Sequence, residues 1–237
     1  MKIALIGYGK MGKAIEGFAL ERGHDVVSII TEENLEDFDS ESFKSADVAI
    51  EFSIPSSAFD NACRAIDRGV AVVSGTTGWT DRLDELKAYC EAHNGTFLHS
   101  TNYSIGVNVL FAMNKYLAKI MNRFPQYDVK MREVHHIHKL DHPSGTALTL
   151  ANGIISTLDR KEAWAEHSTE PSQLDIEAVR EGEVPGIHEV KYLSAQDEIS
   201  IRHEAFSRDG FALGAVVAAE WICDKKGWKT IEEIYNF

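Results

Sequence analysis

The residues that most constrain the fold stand at the start of the chain, where Lys2-Ile3-Ala4-Leu5-Ile6 runs directly into Gly7-Tyr8-Gly9-Lys10-Met11-Gly12. A short apolar run of this kind reads as a buried strand. Helical spacing follows at Ala14, Ile15, Phe18 and Ala19 and stops at Gly23. In a G-x-G-x-x-G between a strand and a helix, Gly7 permits the tight turn and Gly9 lets a pyrophosphate approach the backbone. Gly12 lets the helix pack on the strand. The spacing predicts a dinucleotide-binding unit with Gly7, Gly9, Lys10, Met11 and Gly12 against the cofactor. The plainer alternative is a tight turn that binds nothing.

The strand–helix alternation continues. Asp25 to Ile30 reads as a second strand, and Glu32, 20 residues beyond Gly12, stands where a carboxylate for the ribose hydroxyls is expected. The acidic run from Glu32 to Ser45 has weak periodicity and reads as a loop or a short helix. Asp47–Phe52, Val70–Val73 and Thr96–His99 read as further strands, separated by a helix after Pro55 and another over Asp81–Ala92. The fourth strand ends in Ser74-Gly75-Thr76-Thr77-Gly78, a loop that would face the ligand crevice of a parallel sheet. From Ser104 the pattern changes. A long helix over Ile105–Ile120 precedes an alternating strand over Asp128–Val134, and a helix opens at Ser144. Late strands lie at His188–Leu193 and Glu198–Phe206, Trp164–Ser172 reads as a loop, and Phe211–Ile222 is an apolar helix. The predicted class is α/β: a Rossmann-like doubly wound parallel sheet from residues 1–103 and 209–237, with a second α+β domain over 104–208 built on a mixed sheet.

The chemistry is concentrated in Glu133-Val134-His135-His136-Ile137-His138-Lys139-Leu140-Asp141-His142-Pro143-Ser144-Gly145-Thr146-Ala147, where a strand hands over to a helix. Four of the chain's 10 histidines fall here. The N–H groups of Ser144, Gly145 and Thr146 would point out of the helix start, where an anion binds. Imidazoles and an ammonium beside such a hole suit a small carboxylic acid. Two plainer readings compete. The histidines could be a polar strand end, or His136, His138, Asp141 and His142 could hold a metal. Lys139 in their midst and the lack of a metal-site spacing weigh against the second, so no metal is expected. His138 and His142 receive no role.

A net charge of −13 argues against a nucleic-acid partner, which needs a basic footprint. No apolar run approaches membrane-spanning length and no signal segment is evident. Cys63, Cys90 and Cys223 are few and scattered, so a cytoplasmic protein is expected.

The histidine–lysine run resembles the signature of bacterial 4-hydroxy-tetrahydrodipicolinate (dihydrodipicolinate) reductases. Ser100-Thr101-Asn102-Tyr103-Ser104-Ile105-Gly106-Val107 is similar to the segment joining that family's two domains. Ala178–Gly186 and Arg202–Arg208 resemble further family segments, although family members are usually longer between Glu32 and Ser45. The resemblance implies nicotinamide-dependent reduction of a cyclic dicarboxylic acid in diaminopimelate and lysine biosynthesis. It makes Lys139 the proton donor, with His135 as assisting acid or electrostatic stabiliser. His136 and the Gly145-Thr146 amides, with Ser144 opening the helix, would hold the substrate carboxylates. Arg208 would reach the substrate or be an exposed ion-pairing arginine. A lysine serves as an acid only if its surroundings lower its pKa from about 10.4, a role open to the histidines and the helix start.

For the cofactor, the resemblance lays Gly75, Thr76 and Thr77 against the nicotinamide half. Ser100, Thr101, Asn102 and Tyr103 join them, unless that loop merely caps the next helix. Glu32 and Glu33, with no adjacent cation, predict NADH as the preferred cofactor, with NADPH usable and Lys10 offsetting part of the repulsion. The family is commonly homotetrameric through the second domain's sheet. Two alternatives remain open: another nicotinamide-dependent dehydrogenase of a small dicarboxylate or amino acid, or a non-catalytic NAD(P)-sensing protein, which would have no need of Lys139.

Overall fold

A computed structural model describes residues 1–236, in two compact units. The first comprises Met1–Ser104 and the chain from Asp209 onward; the second is Ile105–Arg208.

The first unit is a six-stranded sheet. Its strands are β1 (Lys2–Ile6), β2 (Asp25–Ile30), β3 (Val48–Glu51), β4 (Ala71–Ser74), β5 (Thr96–His99) and β11 (Gly227–Lys229). All pair in parallel, in the order β11-β5-β4-β3-β1-β2. Helices cover both faces. Alternate strand residues serve the two sides: Ala4, Ile6, Ala49, Val72 and Phe97 pack with residues of α3 (Pro55–Asp67) and α4 (Leu83–Ala92). Ile3, Leu5, Val48, Ile50, Val73 and Leu98 pack with α1 (Lys10–Glu21) and α7 (Asp209–Ile222). Burial on both faces explains why these strands are apolar runs rather than polar–apolar alternations. Because β2 and β3 flank β1 on opposite sides, the strand order reverses there. A ligand crevice forms at such a switch point, outside the carboxyl ends of the strands.

Three parts of this unit were less visible in the sequence. The run after Glu32 forms a 3-10 turn (Leu35–Asp39) and the one-turn helix α2 (Glu41–Lys44), held by Phe38 and Phe43. Both rings are fully buried and meet edge-on, with centroids 4.9 Å apart. Strand β11 and the short helix α8 (Ile231–Tyr235) lie beyond the last predicted element. β11 extends the sheet by pairing with β5, Gly227 opposite Thr96.

The second unit has a mixed five-stranded sheet in the order β10-β9-β6-β8-β7. The strands are β6 (Asp128–His135), β7 (Ala163–Glu166), β8 (Gln173–Arg180), β9 (Gly186–Leu193) and β10 (Glu198–Ala205). β6 pairs antiparallel with β9 and parallel with β8. The expected loop at Trp164–Ser172 is corrected in its first part, because Ala163–Glu166 forms the edge strand β7 beside β8. Helices α5 (Ile105–Met121) and α6 (Gly145–Ile155) bury Leu110, Met121, Leu150 and Ile154 against Val129, Met131, Val190 and Tyr192. Among the described residues, no helix is long and apolar enough to cross a membrane.

Candidate active site

In the first unit, Gly7 takes φ +90°, and a Cβ there would lie 2.1 Å from the Phe52 carbonyl oxygen. At Gly12 a Cβ would lie 2.3 Å from the Gly7 carbonyl oxygen, so helix α1 can sit this close to the turn only with glycine. Gly9 differs: nothing lies within 4 Å of where its Cβ would be, so the backbone is open to an approaching group. Two clefts open here and share Gly9, Phe52 and Ser53. One, of about 560 Å³, is bounded by Gly7, Thr31, Glu32, Leu35 and residues of α3. The other, of about 370 Å³, is lined by Lys10, Met11, Gly75, Thr76 and Thr77.

These walls are held by hydrogen bonds that sequence reasoning passed over. Glu51, fully buried at the end of β3, accepts from the Ser53 amide (3.0 Å), the Ser53 and Ser74 hydroxyls, and the Thr76 hydroxyl (2.8 Å). The Thr76 carbonyl accepts from Trp79 Nε1 at 2.8 Å and lies 3.1 Å from His99 Nε2. Thr76 is thereby fixed from both ends. A carboxylate closing an otherwise apolar strand was the available signal. On the other wall, Asn34 pins the turn after β2 by accepting from the Thr31 amide (2.7 Å) and donating to the Ile29 carbonyl (2.9 Å). Glu32 lines the cleft in front of this turn; Glu33 is not among the lining residues.

The loop before α5 requires a correction at Tyr103. Its ring is 1% exposed and its hydroxyl donates to the Ser74 carbonyl at 2.7 Å, so the side chain braces the end of β4 instead of facing a ligand. Ser100 donates to the Asn102 carbonyl (2.9 Å), and the Asn102 side chain accepts from the Ser104 amide (2.9 Å). Thr101 is exposed.

In the second unit, the alternation that points Val129 and Met131 into the core carries Glu133 and His135 to the same helix-covered face. Glu133 is fully buried and ties three segments together. One oxygen accepts from the Ser144 amide (3.0 Å) and from Arg180 Nη2 (3.1 Å), while the other lies 3.1 Å from His135 Nδ1. The His135 contact has the separation of a hydrogen bond but not its alignment, and both of its atoms otherwise lack a partner. Burial by itself raises the Glu133 carboxyl, but His135 and Ser144 outweigh it and bring the group down to about 2. Opposite Glu133 on β9 is His188, whose ring meets that of His135 at 5.1 Å. Burial first, then the neighbouring His135, lowers His188 to about 3, so its ring is neutral. Glu133, His135 and His188 bring ligand-type atoms within 4.8 Å of one another, a grouping different from the metal set weighed in the sequence. Arg180 already compensates the carboxylate there.

Beyond β6, Lys139 Nζ is paired with Asp141 Oδ1 at 2.7 Å, so its nearest partner is a carboxylate rather than the imidazoles expected from sequence. The other Asp141 oxygen accepts from the Gly145 amide at 3.3 Å. Burial raises the Asp141 carboxyl, but Lys139 and the backbone donors leave it below its ordinary value. Ser144 corrects another expectation: its amide is spent on Glu133 and its hydroxyl accepts from the Ala147 amide at 3.2 Å, so it builds the helix start and is not free for a ligand. Arg208 Nη2 stands 3.4 Å from His136 Nε2. Desolvation and then Arg208 lower His136, which favours the neutral ring. His138 pairs with Glu183 at 3.2 Å and His142 with Glu166 at 2.8 Å. Thus the Glu133 contacts tie His135 at the end of β6 to the start of α6, the Asp141 contacts tie Lys139 to Gly145 at the same helix start, and Arg208, just after β10, reaches His136.

Comparison with known proteins decides the family. Models of dihydrodipicolinate reductase match at residues 1–103 for its N-terminus and 106–235 for its C-terminus. The chain belongs to the dihydrodipicolinate reductase family. It is 43% identical over 236 residues to the 4-hydroxy-tetrahydrodipicolinate reductase of Christiangramia forsetii, covering all of this chain and 98% of that one. To the enzyme of the same name from Archaeoglobus fulgidus it is 38% identical, over 79% of this chain and 75% of that one. In fold it resembles a dipicolinate-bound dihydrodipicolinate reductase from Paenisporosarcina sp. TG-14, with a TM-score of 0.77 at 22% identity over 98% of both chains. Membership makes the chain a nicotinamide-dependent oxidoreductase of the diaminopimelate and lysine route.

Proposed function

We propose that this chain reduces 4-hydroxy-tetrahydrodipicolinate to tetrahydrodipicolinate in the cytoplasm, with Lys139 as proton donor and His135 assisting. The observation that carries the reading is Lys139 held through Asp141 at the amino end of α6, with Arg208 against His136 just after β6, cations and donors gathered in a chain of net charge −13. Such a grouping suits a substrate with two carboxylates. Dipicolinate, the ring dicarboxylate bound by the Paenisporosarcina relative, belongs to the same chemical class.

The first unit's clefts fit a dinucleotide. Gly9 leaves the backbone open to a pyrophosphate, Glu32 stands at one cleft for ribose hydroxyls, and Gly75, Thr76 and Thr77 line the other for the nicotinamide half. When bound, the nicotinamide supplies the hydride. The chain's own residues do the rest. His136, Arg208 and the Gly145 and Thr146 amides orient the carboxylates. Lys139 delivers its Nζ proton, and Glu133 keeps His135 in place beside it. We assign NADH as the preferred cofactor by about tenfold, because a carboxylate at Glu32 disfavours an added phosphate, with NADPH still used. We also assign a homotetramer assembled through the second unit's sheet.

The test is Lys139→Ala, assayed by oxidation of the reduced nicotinamide with freshly generated substrate. Loss of a general acid predicts a fall in kcat of about a hundredfold to ten-thousandfold, with NADH affinity nearly unchanged. A variant keeping more than a third of wild-type kcat removes Lys139 from this role.

A further inference from the structure

The larger cleft of the first unit contains a cation that no neighbouring-residue argument would find. Arg64 lies in the third turn of α3 and lines the same cleft as Glu32 and Thr31, although it stands 32 positions after Glu32 in sequence. Its guanidinium lies over the ring of Phe38, 5.6 Å from the centroid. Phe38 is fully buried in the turn that follows β2, so the arginine is braced against the segment that carries the ribose-side carboxylate. Arg68, one turn later, flanks the same ring at 5.8 Å but is already taken: it binds Asp39 at 2.6 Å and the Arg64 carbonyl at 2.7 Å. Arg64 makes no ion pair among the described residues, and its side chain is exposed to the cleft. The acids of this cleft are Glu32 and Asp60, so a phosphate entering it meets two negative charges and one unpaired guanidinium.

We propose that Arg64 receives the adenosine 2′-phosphate of NADPH, so that a cofactor site whose carboxylate suits NADH also accepts the phosphorylated form. A guanidinium matches a phosphate with two parallel donors, and neither Glu32 nor Asp60 lies within ion-pairing distance to occupy it. Lys10 is set apart from this task, since it lines the other cleft. The inference rests on the dinucleotide reading above and specifies which residue senses the added phosphate.

The experiment is calorimetric binding of adenosine 2′,5′-bisphosphate and of 5′-AMP to the full chain and to its Arg64→Ala and Arg64→Lys forms. Turnover with NADPH and NADH is measured alongside. Arg64→Ala should weaken the bisphosphate at least about tenfold more than it weakens 5′-AMP. The ratio of kcat/KM for NADPH to that for NADH should fall by a similar factor, and Arg64→Lys should recover part of both. An equal loss for the two nucleotides would make Arg64 an adenine-stacking or structural residue and overturn the assignment, as would no loss for either. Wild-type protein that binds neither nucleotide would overturn the dinucleotide reading itself.

Discussion

Glu133 shows how one buried carboxylate can tie together segments from three elements. Its oxygens meet the Ser144 amide, Arg180 and His135, which belong to the start of α6, the end of β8 and the end of β6. Replacing it with glutamine keeps the shape but removes the charge that faces both Arg180 and His135. Glu133→Gln should lower kcat/KM by about tenfold to a hundredfold, since a small misplacement of an acid is costly, while nucleotide binding in the first unit stays intact. A kcat/KM within threefold of wild type would reduce Glu133 to a packing role. The same residue carries a pH signature. Its carboxyl is held near 2 in the fold, below its ordinary value of 4.5. The stability it contributes is therefore present above about 4.5 and is lost as pH falls towards 2, on the order of 3 kcal/mol in all. Denaturant titrations across that range should show a steeper acid loss in wild type than in Glu133→Gln, and parallel slopes would refute the linkage. His188 works in the same direction from a higher pH, because its neutral ring must be protonated on acid unfolding. Both residues were open to a reading of strand phase: Glu133 follows Val129 and Met131 by twos, and His188 precedes Val190 and Tyr192 by twos. What the phase could not give was the partners, because Arg180 and Ser144 arrive from other elements.

At the scale of elements, the amino end of α6 is the part of the site that differs most from its expected form. The sequence indicates a helix start with free amides; the structure fills part of that start with the chain's own acid. Asp141 accepts from the Gly145 amide and pairs with Lys139, so it stands where a substrate carboxylate would be held. On the proposed placement of the substrate, an incoming dicarboxylate has to displace it. Asp141→Asn should therefore tighten competitive inhibition by pyridine-2,6-dicarboxylate by about threefold to thirtyfold, the equivalent of losing one weak charged competitor. Weaker inhibition in that variant would show that Asp141 orients Lys139 and does not compete for the anion position. Elements that announce themselves locally were legible: β1, β2, β5 and β6, together with α5 to α7, follow from period and punctuation. β7 and β11 were not. They have four and three residues, and each exists because another strand, the following β8 or the distant β5, offers it hydrogen bonds. β8 carries a clear alternation of Leu174, Ile176 and Ala178, yet its place beside β6 is a matter of long-range pairing.

At the scale of the whole molecule, the question is how a chain of net charge −13 could assemble with copies of itself. The second unit's sheet has α5 and α6 on one face. Its other face presents Lys130, Arg132, Lys191 and Arg202 interleaved with Asp175, Glu177, Glu189, Glu198 and Glu204. That face is close to charge balance although the chain is strongly acidic, so copies could meet there without the repulsion the rest of the surface would impose. Val179 and Ile187, on either side of the buried Val134 at the site end of the same face, add half-buried apolar surface. Pairs such as Arg132–Glu177 at 3.0 Å are exposed and worth little within one chain. In an interface they could exchange partners between copies and set the register. The expected species in solution is four times the 26.4 kDa chain. Reversing two charges per copy, with Arg132→Glu and Arg202→Glu together, should weaken association by at least about tenfold at moderate salt, with partial recovery as salt screens the repulsion. Sedimentation across a concentration series reads this directly. A wild-type monomer at micromolar concentration, or a tetramer indifferent to both reversals, would place self-association elsewhere or remove it.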